Sequence, residues 1–148
     1  MSRLSRAAGA SILAAVLMLC VACTAPADNA PTTSGETVSD QQSVITSVQA
    51  ADPSATRVVA TVSQSGASNG WAVEIDHQGD LTADTLAAVL RAVAAVEPEP
   101  GHIALYFFAP GTDDAIDIAA AAHELGVPWT PTGSGGSWLT GQLGAMTR

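Results

Sequence analysis

The most informative apolar run of this chain is Ile103-Ala104-Leu105-Tyr106-Phe107-Phe108-Ala109. Gly101 precedes the run and Pro110-Gly111 follow it, so the segment has the length of a strand and is too short for a typical helix. A short strand that is apolar on both faces is typical of the centre of a sheet, most often a parallel one. The run therefore predicts a central, parallel strand. Helices on one face would cover only half of it, so the face that carries Tyr106 and Phe108 is expected to be covered in part.

Helical patterns precede and follow this strand. Upstream, apolar residues recur at helical spacing between Leu86 and Val96, and Thr82 stands where a helix N-cap is expected. Downstream, Thr112 is predicted to cap a second helix. That helix should end at Gly126, because glycine adopts the left-handed conformation at a helix C-terminus without steric cost.

The remaining segments complete one sheet. The Val-rich run 57–64 and the alternating run 71–77 predict a β-hairpin with one solvated face. Residues 127–132 are expected to form a last parallel strand. A glycine-rich connector then leads to a short edge strand over 137–140.

The folded domain is predicted to span residues 39–148. Ser39 and Gln42 form a capping box at the start of a helix over about 40–50. The resulting order is α–β–β–α–β–α–β, with an N-terminal hairpin followed by parallel crossovers. We therefore predict an α/β (α+β) fold, in the form of a small two-layer sandwich.

Charge and cysteine usage exclude several classes of function. The chain contains fourteen acidic residues, five arginines and no lysine, for a formal net charge of −9. Nucleic acid is therefore not an expected partner, since its phosphates require a basic surface. Both cysteines lie within the first 23 residues, and the three histidines are scattered, so we expect no disulfide, no metal site and no cofactor in the domain.

The N-terminus has the layout of an export signal. Arg3 and Arg6 are followed by a short apolar stretch that includes Ile12–Leu19. That stretch is shorter than the roughly 20 apolar residues that a membrane-spanning helix needs, and it fits a signal peptide. Residues 1–22 are therefore predicted to be removed.

The end of this segment, Val21-Ala22-Cys23, resembles the lipobox of bacterial lipoproteins, although Cys20 stands where that family usually has leucine. The resemblance implies a diacylglyceryl lipid and acyl chains, such as palmitate, on Cys23. It implies in addition a location on the extracytoplasmic side of the cell membrane. Residues 23–38, rich in Pro, Thr and Ser, would form a flexible tether. The alternative is an ordinary secretory signal cut after Ala22 or Ala25.

Four aromatic residues are the candidate binding surface: Tyr106, Phe108, Trp129 and Trp138. Large aromatic side chains that stay exposed often mark a binding face, whereas the two tryptophans could also close the end of the core. No catalytic residue is assigned, because no Gly-x-Ser-x-Gly turn joins a strand to a helix. We expect a membrane-anchored, non-catalytic module that binds an envelope protein or glycan. The alternatives are a small envelope hydrolase and a cell-wall glycan-binding module that uses Trp129 and Trp138.

Overall fold

The computed structural model describes residues 34–147. Its elements are α1 (Ser34–Ala51), β1 (Ala55–Ser65), β2 (Ser68–His77), α2 (Ala83–Ala94), β3 (His102–Phe108), α3 (Ala119–Leu125), β4 (Thr130–Thr132), β5 (Gly135–Leu139), α4 (Thr140–Leu143) and a 3₁₀ turn (Gly144–Thr147). None of the helices in this range has the length and apolar content that crossing a bilayer requires.

The five strands form one mixed sheet in the order β1-β2-β3-β5-β4. Strand β3 lies in the middle and runs parallel to β2, while the other neighbouring strands pair antiparallel. The predicted two-layer α/β (α+β) architecture and the central, parallel position of β3 are both confirmed. The hairpin of β1 and β2 is confirmed as well, with Gly66 at positive φ in its two-residue turn.

The core lies between the sheet and the helices. Helix α1 packs on β1 and on α2, and α2 packs on α3. Alternate side chains of the two central strands point into this layer and are buried: Trp71, Val73, Ile75, Ile103, Leu105 and Phe107. Helix α2 contributes the apolar stripe that its periodicity predicts, and the Thr82 hydroxyl accepts a hydrogen bond from the Thr85 amide as an N-cap should.

Helix α1 is longer than the sequence predicts. It begins at Ser34 and not near residue 40, so Ser39 lies inside the helix and the capping box is wrong. The last residues of the predicted tether are therefore helical. The sequence does not predict this extension, because Gly35 is unfavourable in a helix interior. The buried apolar residues of α1, Val44 and Val48, also come only later in the chain.

The predicted helix after Thr112 begins six residues later than expected, with Ile118 and not Thr112 at its N-cap. The Ile116 amide donates to the Phe107 carbonyl, and Ala115 forms a bridge with Phe108, so this segment folds back along the end of β3. A chain paired in this way cannot be helical. Helix α3 starts only at Ala119 and ends at Gly126, which has the expected left-handed φ of 71°.

The C-terminal strands also differ from the prediction. The turn at Gly133-Ser134 joins β4 and β5 into a hairpin, with Thr132 opposite Gly135. Consequently β4 is antiparallel, whereas residues 127–132 were expected to form a parallel strand. Strand β5 lies between β3 and β4, and β4 takes the edge position predicted for residues 137–140.

Candidate functional site

One face of the sheet carries no helix among the described residues. This face, here called the open face, presents the side chains that alternate with the buried set of β2 and β3. Thr61, Glu74 and Leu139 on it are exposed, and Leu139 keeps 55 % of its surface accessible. Within residues 34–147, helices therefore cover β3 on one face only, and its other face is covered in part.

A groove of about 570 Å³ crosses the open face. Two of its lining residues, Ala104 of β3 and Ser137 of β5, have small side chains and lie side by side in register. Larger side chains stand around this pair, including His102 and Tyr106 on β3. The volume falls within the range of small-ligand sites in proteins, about 300–1,000 Å³.

Tyr106 and Phe108, both expected at a binding surface, lie on the open face and are half-buried. The Tyr106 ring lies against Gly135 of the neighbouring strand, where an added Cβ would come within 2.5 Å of the ring. Glycine at this position therefore makes room for the ring to lie across β5. Tyr106 lines the groove, whereas Phe108 lies beyond its end, beside Asp76 of β2.

Trp129 and Trp138 are placed differently from Tyr106 and Phe108. Trp138 pairs with Ile103, points into the helix-covered core and is only 1 % exposed. Trp129 stacks on it with ring centroids 6.0 Å apart, and makes an edge contact with His123 of α3. Both border the groove, but the Trp138 ring belongs to the core. The four residues predicted to form a binding surface therefore fall into two pairs: Tyr106 and Phe108 on the open face, and the stacked Trp129 and Trp138.

A serine and a histidine meet in the groove without any sequence signal. The Nε2 atom of His102 lies 3.1 Å from the Ser63 hydroxyl, although 39 positions separate the two residues. His102 is 5 % exposed and its Nδ1 atom has no hydrogen-bond partner. A nucleophilic triad needs a carboxylate on that second nitrogen, so this pair is not one.

The histidine that does contact a carboxylate is buried. His77 Nδ1 donates to Asp52 Oδ2 at 2.8 Å, with 4 % and 2 % of the two side chains exposed. The second Asp52 oxygen accepts from the Ser54 amide, and the His77 ring makes an edge contact with Phe107. This pair joins the end of α1 to the end of β2. His77 and His102 both stand at strand ends, where nothing in the sequence indicates that either would be buried.

A second ion pair lies at one end of the open face. Arg57 donates two hydrogen bonds of 2.9 Å to Asp76, which is nearly buried, while the arginine side chain stays half-exposed. The hydrogen bonds and charge of Arg57 lower the pKa of Asp76 from its ordinary value, and an amide hydrogen bond from Gly111 acts in the same direction. Asp76 thereby ties β1 and the turn after β3 to β2.

This ion pair predicts a specific acid sensitivity. Because the pKa of Asp76 is lower in the folded chain than in the unfolded one, the unfolded chain binds more protons in acid. The stabilisation is complete above about pH 4 and is lost as pH falls through the folded pKa. We expect Arg57→Met to remove this part of the acid dependence of the free energy of unfolding. Arg91→Met on α2 is the control, and an unchanged profile for Arg57→Met would contradict the assignment.

Neither Cys23 nor the rest of the predicted export signal lies within the described residues. In the part of the chain that is described, no three His, Cys, Asp or Glu side chains are grouped as metal ligands would be. Comparison with protein-family models, with curated proteins and with solved structures finds no match for this chain.

Proposed function

We propose that this chain is a lipid-anchored protein of the bacterial envelope that binds a partner through the open face. The observation that carries the binding role is the uncovered sheet face. Its central strand presents Tyr106 and Phe108, half-buried, on the side opposite the helices. Covering such side chains stabilises a complex by about 25 cal/mol for each Å² of apolar area removed from water.

The proposed lipid anchor on Cys23 has its support in the sequence alone. Val21-Ala22-Cys23 follows an apolar stretch and precedes a Pro- and Thr-rich segment, as in lipoprotein signals. A lipidated Cys23 would precede α1 by only about ten residues, which would keep the domain near the outer surface of the cell membrane. No polybasic segment follows Cys23, so attachment would depend on the lipid, for which more than one acyl chain is needed.

A hydrolase is less well supported. General acid–base chemistry needs a histidine that can reach substrate. His77, which contacts Asp52, is buried, and no carboxylate in the described residues contacts His102 in the groove. The geometry therefore favours binding over catalysis.

The anchor predicts the result of one substitution. We expect Cys23→Ala to move the protein out of the membrane fraction while the domain remains folded, because the core of the described residues is built from Val44 onward. Mass spectrometry of the N-terminal peptide should find Cys23 as the first residue with its lipid attached. An unmodified Ala22–Cys23 junction, or an N-terminus at Ala25 or later, would contradict the lipidation.

The binding role predicts protection of the open face in native membranes. Beyond Cys23 the chain has no cysteine, so a thiol introduced by Ser137→Cys reports on the middle of this face alone. We expect a water-soluble maleimide to label it at least about tenfold more slowly in membranes than after purification, because an occupied interface excludes water.

Val38→Cys on the exposed surface of α1 is the matched control and should label equally in both settings. Equal labelling of Ser137→Cys in membranes and in the purified protein would mean that the face is unoccupied, and would contradict the proposed function.

A further inference from the structure

We infer that the groove of the open face binds an uncharged carbohydrate chain. This inference rests on the proposed function, because it names the class of partner that the open face takes. It follows from three properties of the groove: the absence of charge, the density of hydroxyl groups, and the buried polar atoms that lack partners.

The groove is uncharged although the chain is strongly acidic. No Asp, Glu, Arg or Lys of the described residues lines it, whereas the formal net charge of the whole chain is −9. Glu74 and the Arg57–Asp76 pair share the open face but lie outside the groove. A cationic ligand would find no carboxylate in the groove, and the net charge of the protein would repel an anionic one. The electrostatics therefore favour a neutral ligand.

Hydroxyl groups stand on two sides of the groove. Ser63, Ser65 and Ser68 come from the hairpin of β1 and β2, and the opposite side carries Thr130, Thr132 and Ser137. The Tyr106 ring lies between these two sets, on the central strand. A hydroxyl both donates and accepts hydrogen bonds, as sugar hydroxyls do, and an aromatic ring offers an apolar surface with a polar tip on which a sugar ring can stack.

Three buried side-chain atoms without hydrogen-bond partners belong to residues that line this groove. They are Nδ1 of His102, Oγ1 of Thr132 and Nε1 of Trp138, and they are all of the unpartnered buried side-chain atoms in the described residues. Native proteins satisfy most buried polar atoms, with water or ligand where no protein group is at hand. The Trp138 ring belongs to the core, so its Nε1 atom does not face the groove. His102 and Thr132 project from the open face, and their two unpartnered atoms indicate a region that suits a polar ligand.

A protein partner fits the groove less well. Protein interfaces concentrate their binding energy in buried aromatic and arginine side chains at the centre. Here the centre is Ala104 beside Ser137, which offers little apolar area. An extended peptide would more readily add to the edge of a sheet than lie across its face.

The test uses the full lipidated chain in detergent and four neutral hexasaccharides: chitohexaose, maltohexaose, mannohexaose and xylohexaose. Titration calorimetry should detect binding of at least one of them. Hexagalacturonate, which is similar in size but anionic, should bind at least about tenfold more weakly, a difference of about 1.4 kcal/mol.

Variants locate the site. Tyr106→Ala removes the stacking ring and Ser137→Asp places a carboxylate in the middle of the groove. We expect each to weaken binding about tenfold or more, while Tyr106→Phe retains most of it. Val62→Ala is the matched control, since Val62 is exposed but outside the groove. Circular dichroism of each variant separates loss of binding from loss of the fold.

Three results would overturn the inference. The first is that no neutral hexasaccharide binds while Ser137→Cys is protected in membranes. The inference of a neutral glycan would then be wrong and a protein would be the expected partner of the open face, while the proposed function would stand. If binding is unchanged in both Tyr106→Ala and Ser137→Asp, the sugar binds elsewhere. If hexagalacturonate binds as tightly as the neutral sugars, the electrostatic argument is wrong.

Discussion

Replacing Asp52 by asparagine is expected to lower the free energy of unfolding by about 1.5–3 kcal/mol, the usual contribution of a buried hydrogen bond to a charged group. Asp52 and His77 are both almost completely buried and lie 2.8 Å apart. Asparagine can still accept from the Ser54 amide, but it removes the charge that His77 Nδ1 faces. Chemical denaturation followed by tryptophan fluorescence measures the change.

The control for this prediction is Glu124→Gln, an exposed position on α3 where a change within about 0.5 kcal/mol is expected. The double variant Asp52→Leu with His77→Leu is a sharper comparison. Replacing both members of a buried pair by apolar residues of similar volume is often neutral. An Asp52→Asn variant as stable as the Glu124→Gln control would show that the pair does not hold α1 to the sheet.

The second large effect is expected at Trp138. Its side chain is 1 % exposed, packs in the core and stacks on Trp129. Trp138→Ala should therefore lower the free energy of unfolding by about 3–5 kcal/mol through lost burial and the cavity left behind. The same denaturation experiment measures it.

Leu139→Ala is the matched control, because the neighbouring side chain points to the open face and is 55 % exposed. It should change stability by no more than about 0.5 kcal/mol. If the two substitutions cost the same, Trp138 is not part of the core. It would then belong to the binding surface, the other role that the sequence allows for Trp138.

Part of the candidate site was accessible from the sequence. The alternation of Ile103, Leu105 and Phe107 with Tyr106 and Phe108 places the last two on the face opposite the core, as the structure finds. The sequence could not separate Trp129 and Trp138 from that face. The face of the sheet on which a tryptophan lies depends on the register of β5 against β3, which pairs Ile103 with Trp138. No local sequence pattern specifies that register.

The histidine contacts were inaccessible for a related reason. His102 meets Ser63 across three strands, and His77 meets Asp52 across the gap between a helix end and a strand end. Each contact joins residues more than twenty positions apart. A single sequence shows that such residues exist, but not that the fold brings them together.

Local sequence patterns were sufficient to predict the main strands of the sheet and helix α2. An apolar run bounded by Gly101 and Pro110-Gly111 can form a short strand, and a 3.6-residue periodicity after Thr82 can form a helix that buries one stripe. Tertiary structure alone decided where α1 and α3 begin, how β4 and β5 pair, and which face of the sheet remains open. Those features depend on hydrogen bonds and burial between distant segments, whose energies no local pattern contains.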